Sequence, residues 1–294
     1  GQAENDDERT DIKQNRLYGI EIQQKLFTIA TTNMILRGDG KSNLIRDNSL
    51  TFNKEEMKSH MINKILMNPP YSQAKNEQTQ HLSELSFIQN ALNMLVVGGK
   101  LCVIVPQSTM VGKNKYDKKR KKEILENHTL ESVITLNTDT FHGVGVNPCI
   151  AVFTAGFRHP KNKRVSFVNF IDDGYVVRKH VGLVGDGTEK GKREHLLNVL
   201  EGNDEDGTNF IVKTTIKSTD EWLHSFYYFN DEIPSENDFE RTISEYLTFE
   251  FSMIMQNREH LFDKNLKEIT YKKVLSIQEK KWKGFAIESL FDVL

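Results

Sequence analysis

The sequence predicts an α/β domain built on a mostly parallel sheet. Three observations support this reading. Short apolar runs alternate with helical patterns between residues 17 and 156, glycine and proline punctuate their ends, and 294 residues are enough chain to bury a core. Leu17–Ile22 (LYGIEI) reads as a strand, and Gln23–Leu36 as a helix with Leu26, Ile29, Ala30, Asn33 and Met34 on one face. Ile62–Met67 reads as a buried strand. Leu82–Val97 follows as a long helix with Leu85, Ile88, Leu92 and Leu95 inward, stopped by Gly98-Gly99. Leu101–Val105 is the next strand, ended by Pro106, and Tyr116–His128 is helical. Leu130–Leu136 and Cys149–Thr154 complete the set. The connection between these two is too short for a helical crossover, so they are expected to pair antiparallel.

Beyond Gly156 the pattern changes. Arg164–Phe170 is strand-like, Glu189–Leu200 is a helix, and Gly202–Thr208 (GNDEDGT) is a loop. Residues 201–250 are strongly acidic, with Lys213, Lys217 and Arg241 opposing, and residues 220–280 read as mainly helical. A domain boundary is expected near 155–165.

Lys+Arg total 39 against Asp+Glu 41, a formal charge of −2, which argues against a uniformly basic nucleic-acid coat and leaves room for a local patch. One dense basic cluster exists: Lys113, Lys115, Lys118, Lys119, Arg120, Lys121 and Lys122, with Asp117 alone opposing. It follows the strand ending at Pro106, where it can neutralise phosphates or simply form a solvated helix face. No run approaches the roughly 18 apolar residues of a membrane span. Residues 1–16 are polar and unlike a signal or transit peptide. Cys102 and Cys149 lie in apolar runs and read as reduced core thiols, so the expected setting is cytoplasmic. The histidines show no spacing that suggests zinc.

The sharpest signal is Asn68-Pro69-Pro70-Tyr71, directly after Ile65-Leu66-Met67. Chance alone would place this tetrapeptide in about one chain in a thousand of this size. It sits at the carboxyl end of a strand, where open α/β sheets bind ligands. The two prolines remove two backbone N–H groups, fix φ, and push Asn68 into an extended conformation. The result is a stiff loop of carbonyl oxygens and an amide with an aromatic ring next in line. That set suits an amino group on a flat ring. Asn68 Oδ1 and the Pro69 carbonyl can each accept one hydrogen of the amine, and Tyr71 can stack on the ring, an interaction worth about 1–3 kcal/mol per base.

The stretch KILMNPPYS resembles the catalytic motif of DNA amino-methyltransferases that use S-adenosylmethionine. Its surroundings resemble the modification subunits of type I restriction systems and the fused methyltransferases of related type II enzymes. The resemblance covers residues 17–156 well and continues more weakly to the end. It implies a Rossmann-like sheet, S-adenosylmethionine as cofactor, and transfer of a methyl group to adenine N6 in double-stranded DNA. It also implies specificity and restriction subunits, or fused domains, as partners. Glu21 and Ile22, at the end of a strand, match the place of the acidic residue that binds the cofactor ribose. Asp47 and Asn48, in Arg46-Asp47-Asn48-Ser49-Leu50, match the place that binds the cofactor adenine. Asn68, Pro69, Pro70 and Tyr71 are the implied catalytic residues. Tyr71, Phe141, Lys113, Lys115, Lys118 and Lys119 are the implied contacts to the target base and DNA. The implied division is a polar segment 1–16, a partial catalytic core 17–160, an α+β to mainly helical extension 161–280, and at 281–294, around Trp282, the opening of a target-recognition domain.

The sequence departs from the family at one place. The family's first strand and its acidic, glycine-rich loop should precede Leu17, yet Gly1 is the sole glycine of residues 1–16. Gly143-Val144-Gly145 and Gly185-Asp186-Gly187 with Gly191 are later glycine groups in the wrong order. The chain is therefore expected to be an excerpt of a longer methyltransferase, and its central strand is expected to be missing. Two alternatives remain open: a non-catalytic DNA-binding or assembly module with the same fold, and an amino-methyltransferase for cytosine N4, RNA or protein.

Overall fold

The computed structural model describes residues 3–38, 43–141, 145–178, 181–203, 206–229 and 235–255. The expected recognition-domain opening at 281–294 lies outside them, as do Gly143 and Val144. Two compact units are present, residues 1–229 and 230–294. In the second, α9 (Glu236–Met255) is the described element.

In the first unit, α1 (Asp6–Asp11) is capped by Asn5, whose side chain accepts from the Glu8 N–H, and runs into a wide turn over Ile12–Arg16. There follow β1 (Tyr18–Ile20), α2 (Gln24–Leu36), β2 (Asn43–Ile45), α3 (Lys54–Ser59) and β3 (Lys64–Met67). Next come α4 (Glu84–Met94), β4 (Lys100–Pro106), α5 (Gln107–Val111), α6 (Lys115–Asn127), β5 (Thr129–Leu136) and β6 (Pro148–Thr154). The remainder is β7 (Val165–Phe170), β8 (Tyr175–Arg178), β9 (Gly182–Gly185), α7 (Glu189–Leu200), β10 (Ile211–Thr214) and α8 (His224–Tyr227).

The main sheet has the order β10-β7-β5-β6-β4-β3. It is mixed rather than mostly parallel. β3, β4, β5 and β7 run one way, whereas β6 and β10 are reversed. The reversal of β6 follows from its short connection to β5, and the two pair antiparallel as expected. The sheet also crosses the expected 155–165 boundary. β7 pairs with β5 and β10 with β7, because Val165, Phe167, Val168 and Ile211 are apolar enough to be fully buried there.

β1 and β2 form a separate two-stranded parallel sheet, and β3 is the edge strand of the larger one. The expectation of a buried strand at 62–67 therefore fails: β3 alternates between exposed and half-buried positions, and Leu66 is 85% exposed. Its inner side still packs. Phe52, Met57 and Met94 join Tyr18, Ile20, Ile45, Ile62 and Ile65 in one apolar cluster linking the small sheet, α4 and β3. Helix α2 forms as expected, but none of its residues is buried, and Leu26 and Ile29 are about half exposed.

One face of the main sheet is closed by α4 and α6, with Leu85, Ile88 and Leu92 against Leu101, Val103 and Phe153. The other is covered at the β5–β7–β10 side by α7 through Val199, Leu196 and Leu200. Cys149 is buried, Cys102 is half-buried, and both thiols are free. Among the described residues no helix is long and apolar enough to cross a membrane, and no cluster of side chains could hold a metal ion.

Lys121 belongs to the core rather than to the basic surface. It is fully buried, and its Nζ donates to the carbonyls of Met110 (2.7 Å), Val111 (3.2 Å) and Asp220 (2.7 Å). It also sits 4.3 Å from the centroid of the Trp222 ring. Gly112 ends α5 at φ +57°, and a Cβ there would lie 2.9 Å from Lys121 Cδ. Burial pulls the ammonium down from 10.5 to about 8. Replacing Lys121 by Met removes three hydrogen bonds, although the Met110 carbonyl keeps the Trp222 N–H at 3.0 Å, so Lys121→Met is expected to cost about 2–3 kcal/mol in urea unfolding. Because the folded-state pKa is lowered, the unfolded chain binds more protons between about 8 and 10.5, and wild-type stability gains across that window. The variant lacks that gain.

Candidate active site

The strand directions bring several connections to one edge of the main sheet. β3 and β4 end there at Met67 and Pro106, β5 and β7 at Leu136 and Phe170, and β6 begins there at Pro148. Asn68-Pro69-Pro70-Tyr71 leaves β3 at this edge, directly after Met67 pairs with Val103.

Within the loop Pro69 is buried, Asn68 and Pro70 are exposed, and Tyr71 is half-buried. The Tyr71 hydroxyl donates to Asn68 Oδ1 at 2.7 Å and lies 3.5 Å from the Ile104 carbonyl on β4. Burial pushes the Tyr71 phenol above its usual range, so it keeps its proton and remains a donor. Asn68 Oδ1 retains a second lone pair, and no donor of the described residues reaches the Pro69 carbonyl. Among the described residues, both acceptors keep hydrogen-bonding capacity.

Ser72 turns the chain at φ +56°, a left-handed conformation that costs a residue with a Cβ about 1–2 kcal/mol. Its N–H donates to Glu84 Oε1 at 2.6 Å. Glu84 opens α4, where the helix dipole favours a carboxylate, and Ser83 caps the same helix through the Ser86 N–H. Glu84 was not legible as a site residue, because its partner is a backbone amide in a turn the sequence does not specify. A further turn, anchored by Thr140 N–H to the Asn137 carbonyl at 3.1 Å, presents Phe141. The Phe141 and Tyr71 ring centroids are 6.3 Å apart at 61°.

Glu21 and Asp47 follow adjacent parallel strands, since Ile20 pairs with Ile45, and so stand at one end of the small sheet. Glu21 Oε1 accepts from Gln23 N–H at 2.6 Å, and Asp47 Oδ1 from Asn48 N–H at 2.6 Å, each leaving its second oxygen open among the described residues. Asn48 Oδ1 is taken by the Leu50 N–H, and Ile22 is exposed. Asn90 of α4 donates to the Ser49 carbonyl at 2.5 Å and ties this turn to the main sheet. Two carboxylates with open oxygens suit vicinal hydroxyls and an aromatic amine, the donor set of an adenosine. The glycine group Gly185-Asp186-Gly187 is closed on itself, with Gly187 N–H on Glu189 Oε2 and Thr188 N–H on Asp186 Oδ1.

The basic cluster is divided. α6 starts at the edge carrying the tetrapeptide and runs back to the opposite edge, where β5 begins. Lys113, Lys115 and Lys118 are exposed and make no ion pair among the described residues. Lys119 pairs with Glu123 at 3.9 Å, Arg120 with Glu123 at 3.2 Å and Lys122 with Glu126 at 3.8 Å. The Tyr116 hydroxyl donates to Glu77 Oε1 at 2.7 Å, which joins the start of α6 to the turn that follows the loop.

An α/β sheet with this loop at its carboxyl edge defines the class: the S-adenosylmethionine-dependent methyltransferase fold. The N-6 DNA Methylase family model matches residues 2–251, and the chain belongs to that family. It is 79% identical over 263 residues to the type II restriction enzyme and methyltransferase RM.BcgI of Heyndrickxia coagulans, across 90% of this chain and 41% of that protein. It is 28% identical over 155 residues to the type I restriction enzyme EcoEI methylase subunit of Escherichia coli, across 49% of this chain and 31% of that one. The chain thus spans less than half the length of these relatives. The fold is similar to that of a modification subunit of a type I restriction enzyme from Vibrio vulnificus, with a TM-score of 0.56 at 16% identity over 73% of this chain and 46% of that one.

Among the described residues the Ser72 amide donates to the Glu84 carboxylate alone, so its removal should free the turn. In Glu84→Ala, hydrogen exchange at the Ser72 amide is expected to accelerate at least about tenfold, the equivalent of ~1.4 kcal/mol, with α4 still protected. Glu84→Gln, which keeps an acceptor, should stay close to wild type.

Proposed function

We propose that the chain is the methyl-transferring core of a restriction–modification enzyme acting on adenine N6 in duplex DNA. The observation that carries this is the Asn68-Pro69-Pro70-Tyr71 loop itself, stiffened by two prolines at the carboxyl end of β3, with Tyr71 bonded to Asn68 and its ring beside Phe141. The lone pair of the adenine amine is delocalised into the ring and attacks poorly. Two acceptors holding its hydrogens draw that lone pair out of conjugation, and they bind most tightly as positive charge develops on nitrogen. The base must leave the DNA stack to reach them. Tyr71 then offers a stacking face, with Phe141 bordering the same space.

The Glu21 and Asp47 carboxylates would hold the adenosine part of S-adenosylmethionine, with Ile22 and Asn48 flanking them. The bound cofactor supplies an electrophilic methyl group. Displacement is direct, so the work of the chain is positioning and dispersal of charge rather than covalent catalysis. Lys113, Lys115 and Lys118 supply phosphate contacts near the loop, with Lys119 joining them if it leaves Glu123. The setting that fits this activity is cytoplasmic. The expected partners besides duplex DNA are specificity and restriction subunits or fused domains.

The test is Asn68→Ala in the intact protein, measured with radiolabelled S-adenosylmethionine and duplex DNA. Removing one of two acceptors should lower methyl transfer by at least about 10²-fold. Cofactor affinity by calorimetry should stay within about twofold, since Asn68 contacts the amine and not the adenosine site. Methylation near the wild-type rate would sink the assigned role.

A further inference from the structure

The β8–β9 hairpin is a second element at the tetrapeptide edge that the methyltransferase reading leaves without a task. It rises where β7 ends, and Phe170 there is in register with Leu136 of β5. Its two strands pair with each other and with no other strand, Tyr175 against Gly185 through Arg178 against Gly182. All four residues of β8 are exposed.

The base of the hairpin is pinned. Asn137 Nδ2 donates to Asp173 Oδ1 at 3.0 Å and to the Tyr175 carbonyl at 3.3 Å. Tyr175 N–H also donates to Asp173 Oδ1, at 2.9 Å, and Asp186 N–H to the Gly174 carbonyl, at 2.8 Å. Gly174, at φ +83°, is packed so closely that a Cβ would stand 2.6 Å from the Glu189 backbone. Asn137 is also the residue whose carbonyl anchors the turn carrying Phe141. One side chain therefore holds the hairpin base and one main-chain carbonyl of the same residue holds the aromatic beside Tyr71.

The charges of this region sort themselves. Asp172 is paired with Lys192, Asp173 is bound by Asn137, Asp186 by Thr188, and Glu189 accepts from Gly187. Arg178, towards the far end of β8, is exposed and meets no carboxylate among the described residues. Its cross-strand partner is Gly182, around which a Cβ would meet nothing within 4 Å, so the paired position offers the guanidinium no side chain. The acidic groups close the base of the ribbon, and Arg178 carries a positive charge towards the far end of β8.

We infer that the β8–β9 hairpin is a DNA-contacting ribbon beside the target base, with Arg178 on a backbone phosphate. This rests on the reading of the chain as a DNA methyltransferase and adds a surface to it. A two-stranded ribbon fits the major groove of duplex DNA, and a free arginine on a pinned ribbon gives a phosphate contact at fixed distance from the catalytic loop. The exposed Val176 lies on the same face of β8 as Arg178 and suits contact with sugar and thymine methyl groups rather than water.

The test uses the intact protein and a fluorescent duplex in anisotropy titrations across salt concentration, with methylation of the same duplex measured in parallel. Arg178→Ala should weaken binding about tenfold at ~0.1 M salt and reduce the log–log salt slope by about 1, while Arg178→Lys stays near wild type. Thermal melting should be unchanged, because the side chain is exposed. Wild-type affinity in Arg178→Ala would overturn the inference. So would weaker binding with an unchanged salt slope and a lower melting temperature, the signature of a structural role. A wild-type protein that methylates the duplex while the variant binds normally removes the ribbon alone. A wild-type protein that neither binds nor methylates removes the methyltransferase reading with it.

Discussion

The structure depends on a short parallel ladder. Lys64–Met67 pairs with Lys100–Val103, and this pairing decides where the tetrapeptide sits. A slip of one residue would move Met67 away from Val103 and turn the alternate side chains of β3 to the other face. Ile65 and Met67 would then leave the core, and Tyr71 would lose its approach to the Ile104 carbonyl. The loop is rigid in itself because of its prolines, but rigidity has value only where the register is right. Ser72 and Glu84 supply the second hold, tying the far end of the loop to the first turn of α4.

The remaining elements act by bringing other groups to that same edge. β6 is reversed between β4 and β5, so the connection before it starts and ends beside the tetrapeptide. Phe141 reaches Tyr71 by this route, and Gln107 N–H bonds the Asn147 carbonyl across the same gap at 2.8 Å. Behind the edge, Lys121 gathers the end of α5 and the segment near Asp220 around one buried ammonium. A buried lysine is a costly device, and replacing it by an apolar side chain would take a donor from each carbonyl it serves.

The order of elements was legible in the sequence wherever a strand or helix had one clearly apolar face. α4 is the clearest case, with Leu85, Ile88 and Leu92, and Leu95 just past its end, all buried as the spacing implies. The reversed β6 followed from connection length. The tetrapeptide was legible because its chemistry is local: two prolines and an aromatic define a loop without help from the rest of the chain. The failures have a common cause. The burial of β3 depends on a neighbour on its far side, and periodicity describes a face without saying what covers it. The β8–β9 hairpin escaped notice because its residues alternate weakly and its base is set by Gly174 and Asn137, one steric and one polar constraint. Lys121 was read with its basic neighbours, since nothing in a run of lysines marks the one that turns inward.

The account turns on which amine the two acceptors hold. The direct measurement is to incubate the intact protein with duplex DNA and methyl-labelled S-adenosylmethionine, digest the DNA, and identify the labelled nucleoside by mass spectrometry. Membership of the N-6 DNA Methylase family, with Asn68, Pro69 and Tyr71 placed to hold an amine, predicts label on N6-methyldeoxyadenosine. Label on N4-methyldeoxycytidine, or no label in DNA while RNA or protein is methylated, would contradict it.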